Sequence, residues 1–133
     1  MSKKLPPKET FSIVMTLPHR SLSPNSRSHW AVRSKHKAAH RNEAAVLTRQ
    51  AMMDVVIGSD WSTVVVKPNF FFPTKRKRDR DNCSAMLKAA RDGIADALRE
   101  WGAIEDDECF IPMPSSISVD RDRPRVEIVI SNQ

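Results

Sequence analysis

Apolar and polar positions along the 133-residue chain alternate with two different periods, and the switches between them mark the elements. Thr10 to Leu17 is rich in β-branched and apolar residues and reads as a strand ended by Pro18. A polar loop follows, from His19 to Ser28, with a turn signal at Pro24-Asn25-Ser26. From Ala38 to Val56 apolar residues recur at helical spacing (Ala39, Ala44, Val46, Leu47, Ala51, Met52), and Gly58 closes that pattern. Trp61 to Phe72 reads as a second strand, with Pro68 marking a bend or an edge position. Cys83, Leu87, Ala90, Ile94, Leu98 and Trp101 then fall three or four apart on one helix face, and Gly102 supplies the stop. Ser115 to Val119 and Arg125 to Ile130 alternate as strands and predict a terminal hairpin about Asp120 to Pro124. The order β-α-β-α-β-β predicts an α+β fold, a single domain over residues 1–133 with helices packed on one mixed sheet. Residues 1–9 are expected to be a flexible tail.

Composition narrows the classes. An apolar fraction of 40% supplies one modest core, and no run approaches the roughly 18 apolar residues of a membrane helix. The basic N-terminus lacks the apolar stretch of a signal peptide, so a cytoplasmic protein with no membrane partner is expected. Cys83 and Cys109 form neither a disulfide framework nor a Cys-x-x-Cys metal pattern and read as small buried hydrophobes. The four histidines make no zinc pattern, and no Gly-rich phosphate loop or nucleophile triad is present. The formal net charge of +6 suits a polyanionic partner, because cations along a phosphate backbone release condensed counterions.

Chemistry concentrates between Lys75 and Asp107. A basic run, Lys75-Arg76-Lys77-Arg78, precedes two aspartates at i, i+2, Asp79 and Asp81, and the acidic cluster Glu105-Asp106-Asp107 follows the second helix. Carboxylates are the oxygen ligands magnesium prefers, and a metal so held polarises a phosphate and activates water. The neighbouring cations would hold the backbone without reading bases. The same residues also fit a solvated loop with ordinary Asp-x-Asp turns, and from the residues alone both readings stay open.

The ordered set Arg78-Asp79-Arg80-Asp81-Asn82, then Lys88 and Asp92 on a helix, then Asp106-Asp107, resembles the RusA family of Holliday-junction resolvases. The polar loop Ser23 to Trp30 is similar to one in phage-borne members, so a bacterial or phage origin is expected. The resemblance implies a RusA-like fold and a homodimer that uses magnesium, with manganese as a substitute, to cut branched, four-way DNA. Carried over by position, it implies Asp79, Asp81 and Asp107 as catalytic metal ligands and Lys88 as a catalytic lysine, although Lys88 stands one helical turn further from Asn82 than in that family. Lys75, Arg76, Lys77, Arg78, Asn25 and Arg27 are the expected DNA contacts. Asp92 also fits a plain i, i+4 pair with Lys88. Two alternatives stand beside this one: a nuclease of the same fold for other branched DNA, and a non-catalytic basic DNA-binding module.

The spacing adds a constraint. An unbroken helix from Ser84 to Trp101 spans about 26 Å, whereas Gly102 to Asp106 reach back only about 17 Å. Either the helix breaks at Gly93, or two copies pack about a twofold axis at Gly93 and share their acids. The second is the expectation.

Overall fold

The computed structural model describes residues 9–55, 57–58, 61–106 and 109–132. The strands are β1 (Thr10–Met15), β2 (Val64–Phe72), β3 (Phe110–Pro112), β4 (Ser116–Val119) and β5 (Arg125–Ser131). The helices are α1 (Trp30–Asp54), α2 (Arg80–Ala85) and α3 (Lys88–Trp101), with a 3-10 turn at Arg20–Leu22. The α+β expectation with one mixed, open sheet holds. The order across the sheet is β1-β5-β2, with β3 and β4 pairing successively along the far side of β2. β5 is antiparallel to both neighbours, whereas β3 and β4 run parallel to β2.

Alternation along the strands builds the core directly. Register aligns Phe11 with Ile130 and Val66, Ile13 with Ile128 and Pro68, and Met15 with Val126 and Phe70, all buried. These rows are capped by Leu87, Ala90, Ile94 and Leu98 of the second helical pattern and by Ala44 and Met52 of α1. Cys83 is buried among them, as expected, and Cys109 is half-buried; the two form no disulfide.

Several expectations need correction. The last two strands are not a hairpin: residues 120–124 carry the chain across β2, so that β4 and β5 flank it. Pro68 lies in the middle of the sheet, opposite the gap between the β3 and β4 pairings, where a residue without N–H is tolerated. The first helix starts at Trp30 rather than Ala38, with the His29 ring as its cap, Nδ1 accepting from the Ala31 N–H at 3.2 Å. It ends at Asp54 with Val55 extended, so Gly58 is not its stop; the Gly58 N–H donates to the Glu9 carboxylate instead. That carboxylate also accepts from Trp61 Nε1 at 2.7 Å, so Glu9 is anchored, while the remainder of the expected tail lies outside the described residues. Gly102 does end α3, in the left-handed region at φ 87°.

The second helix is two helices. At its junction the bonding tightens, the Leu87 N–H donating to Ser84 O three residues back, and α3 restarts at Lys88. The break therefore falls at Met86-Leu87, not at Gly93. Gly93 has a different task. A Cβ built there would lie 2.1 Å from the Arg41 carbonyl oxygen and 3.0 Å from Ala44 Cβ, so α3 packs backbone against α1 of the same chain. The expected twofold contact at Gly93 is replaced by this intrachain one. Arg41–Asp96 (2.7 Å) and Arg49–Glu100 (2.7 Å) brace the same seam, and each guanidinium donates two hydrogen bonds.

The loop from β1 to α1 is held by histidines. The His19 and His36 rings stack at 3.5 Å, and His19 Nδ1 accepts from the Ser21 N–H. Buried His40 sits one turn further on, with Nε2 3.4 Å from Thr16 O, and Glu43 accepts from the Thr16 N–H and hydroxyl. His19 is held below its ordinary value by lost hydration, then by His36 and Arg20. Burial lowers His40, against the opposing bond to Thr16 and the charge of Glu43.

Two predictions follow from this packing. Gly93→Ala gains about 1 kcal/mol of helix propensity but meets a backbone oxygen, and overpacking of this kind costs about 1–3 kcal/mol. Denaturant unfolding should show a net loss; equal or higher stability would disprove the close approach. Because both histidines have lowered folded values, their neutral forms favour the fold. That stability is complete above the unfolded value of about 6.5 and is lost as pH falls below it. The melting temperature should drop from pH 7.5 to pH 5.5, and by less in a His19→Gln, His40→Gln variant; an equal drop in both proteins would exclude the histidines as its source.

Candidate nucleic-acid interface

After Phe72 the chain leaves the sheet at Pro73 and runs through Lys75, Arg76 and Lys77, all exposed, before α2 begins. Arg78 is half-buried because its guanidinium lies over the Phe72 ring at 3.7 Å, a cation–π contact that fixes the end of the basic run against β2. Arg80 opens α2 and is exposed.

Asp79 is the N-cap of α2. Its Oδ1 accepts from the Asp81 N–H at 2.8 Å and from the Asn82 N–H at 3.2 Å, pairing two donors that a helix start leaves open. Asp81 stands in the first turn, exposed, where a negative charge complements the helix dipole. The Asp-x-Asp spacing is thus satisfied by local helix chemistry. Lys88 is 78% exposed and pairs with Asp92 at 3.5 Å, the plain i, i+4 pair. Asp107 lies outside the described residues. Among the described residues no three His, Cys, Asp or Glu side chains form a group able to hold a metal ion. Asp79 and Asp81 are thus accounted for by helix chemistry, and the third acid of the expected magnesium set, Asp107, is not one of those residues.

Of the other expected contacts, Asn25 and Arg27 are exposed on the loop before α1. That loop is pinned by Arg33, which donates to Ser23 O at 3.1 Å. Arg91 was not foreseen: it is half-buried and donates to Ser84 O at 3.0 Å, bridging the α2–α3 break, and burial lowers its pKa. Its only sequence signal was a cation on the flank of an apolar stripe.

The distribution of partners separates two kinds of cation. Arg41, Arg49, Arg99 and Arg125 are each held by carboxylates. Among the described residues Lys75, Arg76, Lys77, Arg78 and Arg80 form no ion pair with a carboxylate, although Asp79 and Asp81 are their neighbours in sequence. No described helix is long and apolar enough to cross a membrane.

What these features define is a small α+β domain with an unpaired basic segment at the start of a short helix. No family model matches the chain. It is 36% identical over 107 residues to a Xylella fastidiosa protein described as uncharacterized, covering 80% of this chain and 67% of that one. The chain belongs to the family of that protein. A solved structure described as a cyanuric acid hydrolase aligns with 98% of this chain at 17% identity and a TM-score of 0.41. This chain spans 39% of that structure's length, and similarity at that level carries neither fold nor chemistry across. The resemblance to RusA resolvases is therefore corrected, together with the magnesium-dependent junction nuclease it implied. No family model supports the resemblance, and the described carboxylates form no metal group.

The cap assignment is testable. Asp79→Ala should cost about 1 kcal/mol, the usual worth of an N-cap, and Asp81→Ala distinctly less. Equal losses in denaturant unfolding would show that Asp79 does not act as the cap.

Proposed function

We propose that the chain is a DNA-binding module that holds the phosphate backbone through Lys75, Arg76, Lys77, Arg78 and Arg80 and cuts nothing. The observation that carries this reading is that five cations within six positions have no carboxylate partner among the described residues, whereas Arg41, Arg49, Arg99 and Arg125 each have one. Unpaired cations placed along phosphates release the counterions condensed on the nucleic acid, and that release drives association. The aspartates inside the basic segment are explained by α2: one caps the helix and the other faces its dipole, so neither counts against a backbone binder. Backbone contacts position a duplex or a branched DNA without reading its sequence.

Salt titration tests this. Each duplex phosphate neutralised contributes about 0.9 to the slope of log affinity against log salt. Replacing Lys75, Arg76 and Lys77 with Ala, leaving Arg78 on Phe72, should make that slope shallower by about 2 to 3 units. An unchanged slope would remove this segment from the binding face. Wild-type binding should persist in EDTA, and cleavage of a four-way junction in magnesium alone would overturn the non-cutting reading.

A further inference from the structure

The chain carries a second basic region that whole-chain charge conceals. From Thr10 to Asn42 there are six Lys and Arg residues and no Asp or Glu, so this quarter of the sequence has a formal charge equal to the net charge of the whole protein. Its exposed part is the start of α1. Trp30, Val32, Ser34, Lys35, Lys37 and Ala38 are all exposed there, and Trp30 is 72% so. Arg33 and His36 are half-buried and turn the opposite side toward the body. Its ring neighbour among the described residues is His29, tilted at 5.6 Å.

Helical spacing orders these residues. Trp30, Ser34, Lys37 and Arg41 fall at i, i+4, i+7 and i+11, on one face of α1. That face walls a groove of about 390 Å³ whose opposite wall is Lys88, Ala89 and Asp92 of α3. At the inner end Arg41 is held by Asp96, and Asp92 pairs with Lys88 at 3.5 Å, so the charges there are largely balanced. Toward the outer end Lys37 has no carboxylate partner among the described residues, and Trp30 lies one turn beyond Ser34. Unbalanced positive charge on this face is therefore displaced toward the outer end.

We propose that this outer end of the α1–α3 groove binds a single-stranded nucleic-acid segment, a phosphate on Lys37 and an unpaired base on the Trp30 ring. The inference rests on the nucleic-acid reading above and adds a second contact to it. Cations alone would fit any polyanion. The exposed tryptophan among them selects a ligand that also offers an open aromatic face, which bases in a single strand do and bases in a duplex do not. An acidic protein surface supplies charge without that face.

Fluorescence anisotropy with a labelled oligothymidylate and a labelled duplex of equal length tests the assignment. Trp30→Ala should weaken single-strand binding about 5- to 150-fold, the worth of one stacked base, and change duplex binding less than twofold. Trp30→Phe should restore most of the loss. Lys37→Ala should make the single-strand salt slope shallower by about 0.7 unit. As Trp30 is exposed, thermal unfolding of Trp30→Ala should match wild type, which separates lost contact from lost fold. Unchanged single-strand binding in Trp30→Ala, with the salt-dependent duplex binding intact, would overturn this site alone. So would displacement of the oligonucleotide by polyglutamate at equal charge concentration. Failure of wild type to bind either nucleic acid would overturn both readings.

Discussion

The backbone of α3 at Gly93 lies against the backbone of α1 at Arg41, and no side chain fits between them. This contact sets how near the two helices lie and hence which carboxylates meet which arginines. With the helices in register, Asp96 reaches Arg41 and Arg99, and Glu100 reaches Arg49. Those exposed pairs are each worth only about 0.2–1 kcal/mol, so their effect on stability is small. Their effect on charge is larger. They hold the acids of α3 along one seam, with the Asp96 and Glu100 carboxyls drawn below their ordinary values by the arginines that donate to them.

The consequence is a division of the surface. Asp120 and Glu127 are likewise held by Arg125, whose guanidinium lies over Phe71. Among the described residues two clusters of cations have no carboxylate partner, the segment between β2 and α2 and the start of α1; Arg121 and Arg123, between β4 and β5, are also without one. The first is fixed by Arg78 on Phe72 and by the Asp79 cap, the second by the His29 cap and the bond from Arg33 to Ser23. In both, local hydrogen bonding orders the backbone and leaves the neighbouring cations to solvent. A surface of this kind binds by charge and is tuned by whatever aromatic group stands beside it.

Strands β1, β2, β4 and β5 and the α3 stripe were legible because alternation or helical spacing marks them, with Phe11, Ile13 and Met15 on one strand and Leu87, Ile94 and Leu98 on one helix, whereas the three-residue β3 is too short to show a period. The first eight residues of α1 were not, because its body-facing positions there are Arg33 and His36, and polar residues leave no hydrophobic period. The supposed terminal hairpin shows another limit. Alternation marks a strand but not its partner, and β4 and β5 pair with β2 rather than with each other. At the candidate site the residues were readable and their roles were not. Asp79 and Asp81 suit a metal and a helix start equally by type and spacing, and only the two bonds to Asp79 Oδ1 separate these uses. The face that Trp30 shares with Lys37 exists only because the helix begins so early, which no hydrophobic period marks.

The central claim is that nucleic acid lies along the unpaired cations and avoids the carboxylate-braced seam. Photocrosslinking to a DNA that carries both duplex and single-stranded arms, followed by mapping of the crosslinked peptides, tests it most directly. Crosslinks should fall within residues 75–80 and 30–37 and be lost together as salt is raised. Crosslinks concentrated instead around Arg49, Arg99 and Glu100, or spread evenly over the surface at every salt concentration, would contradict it.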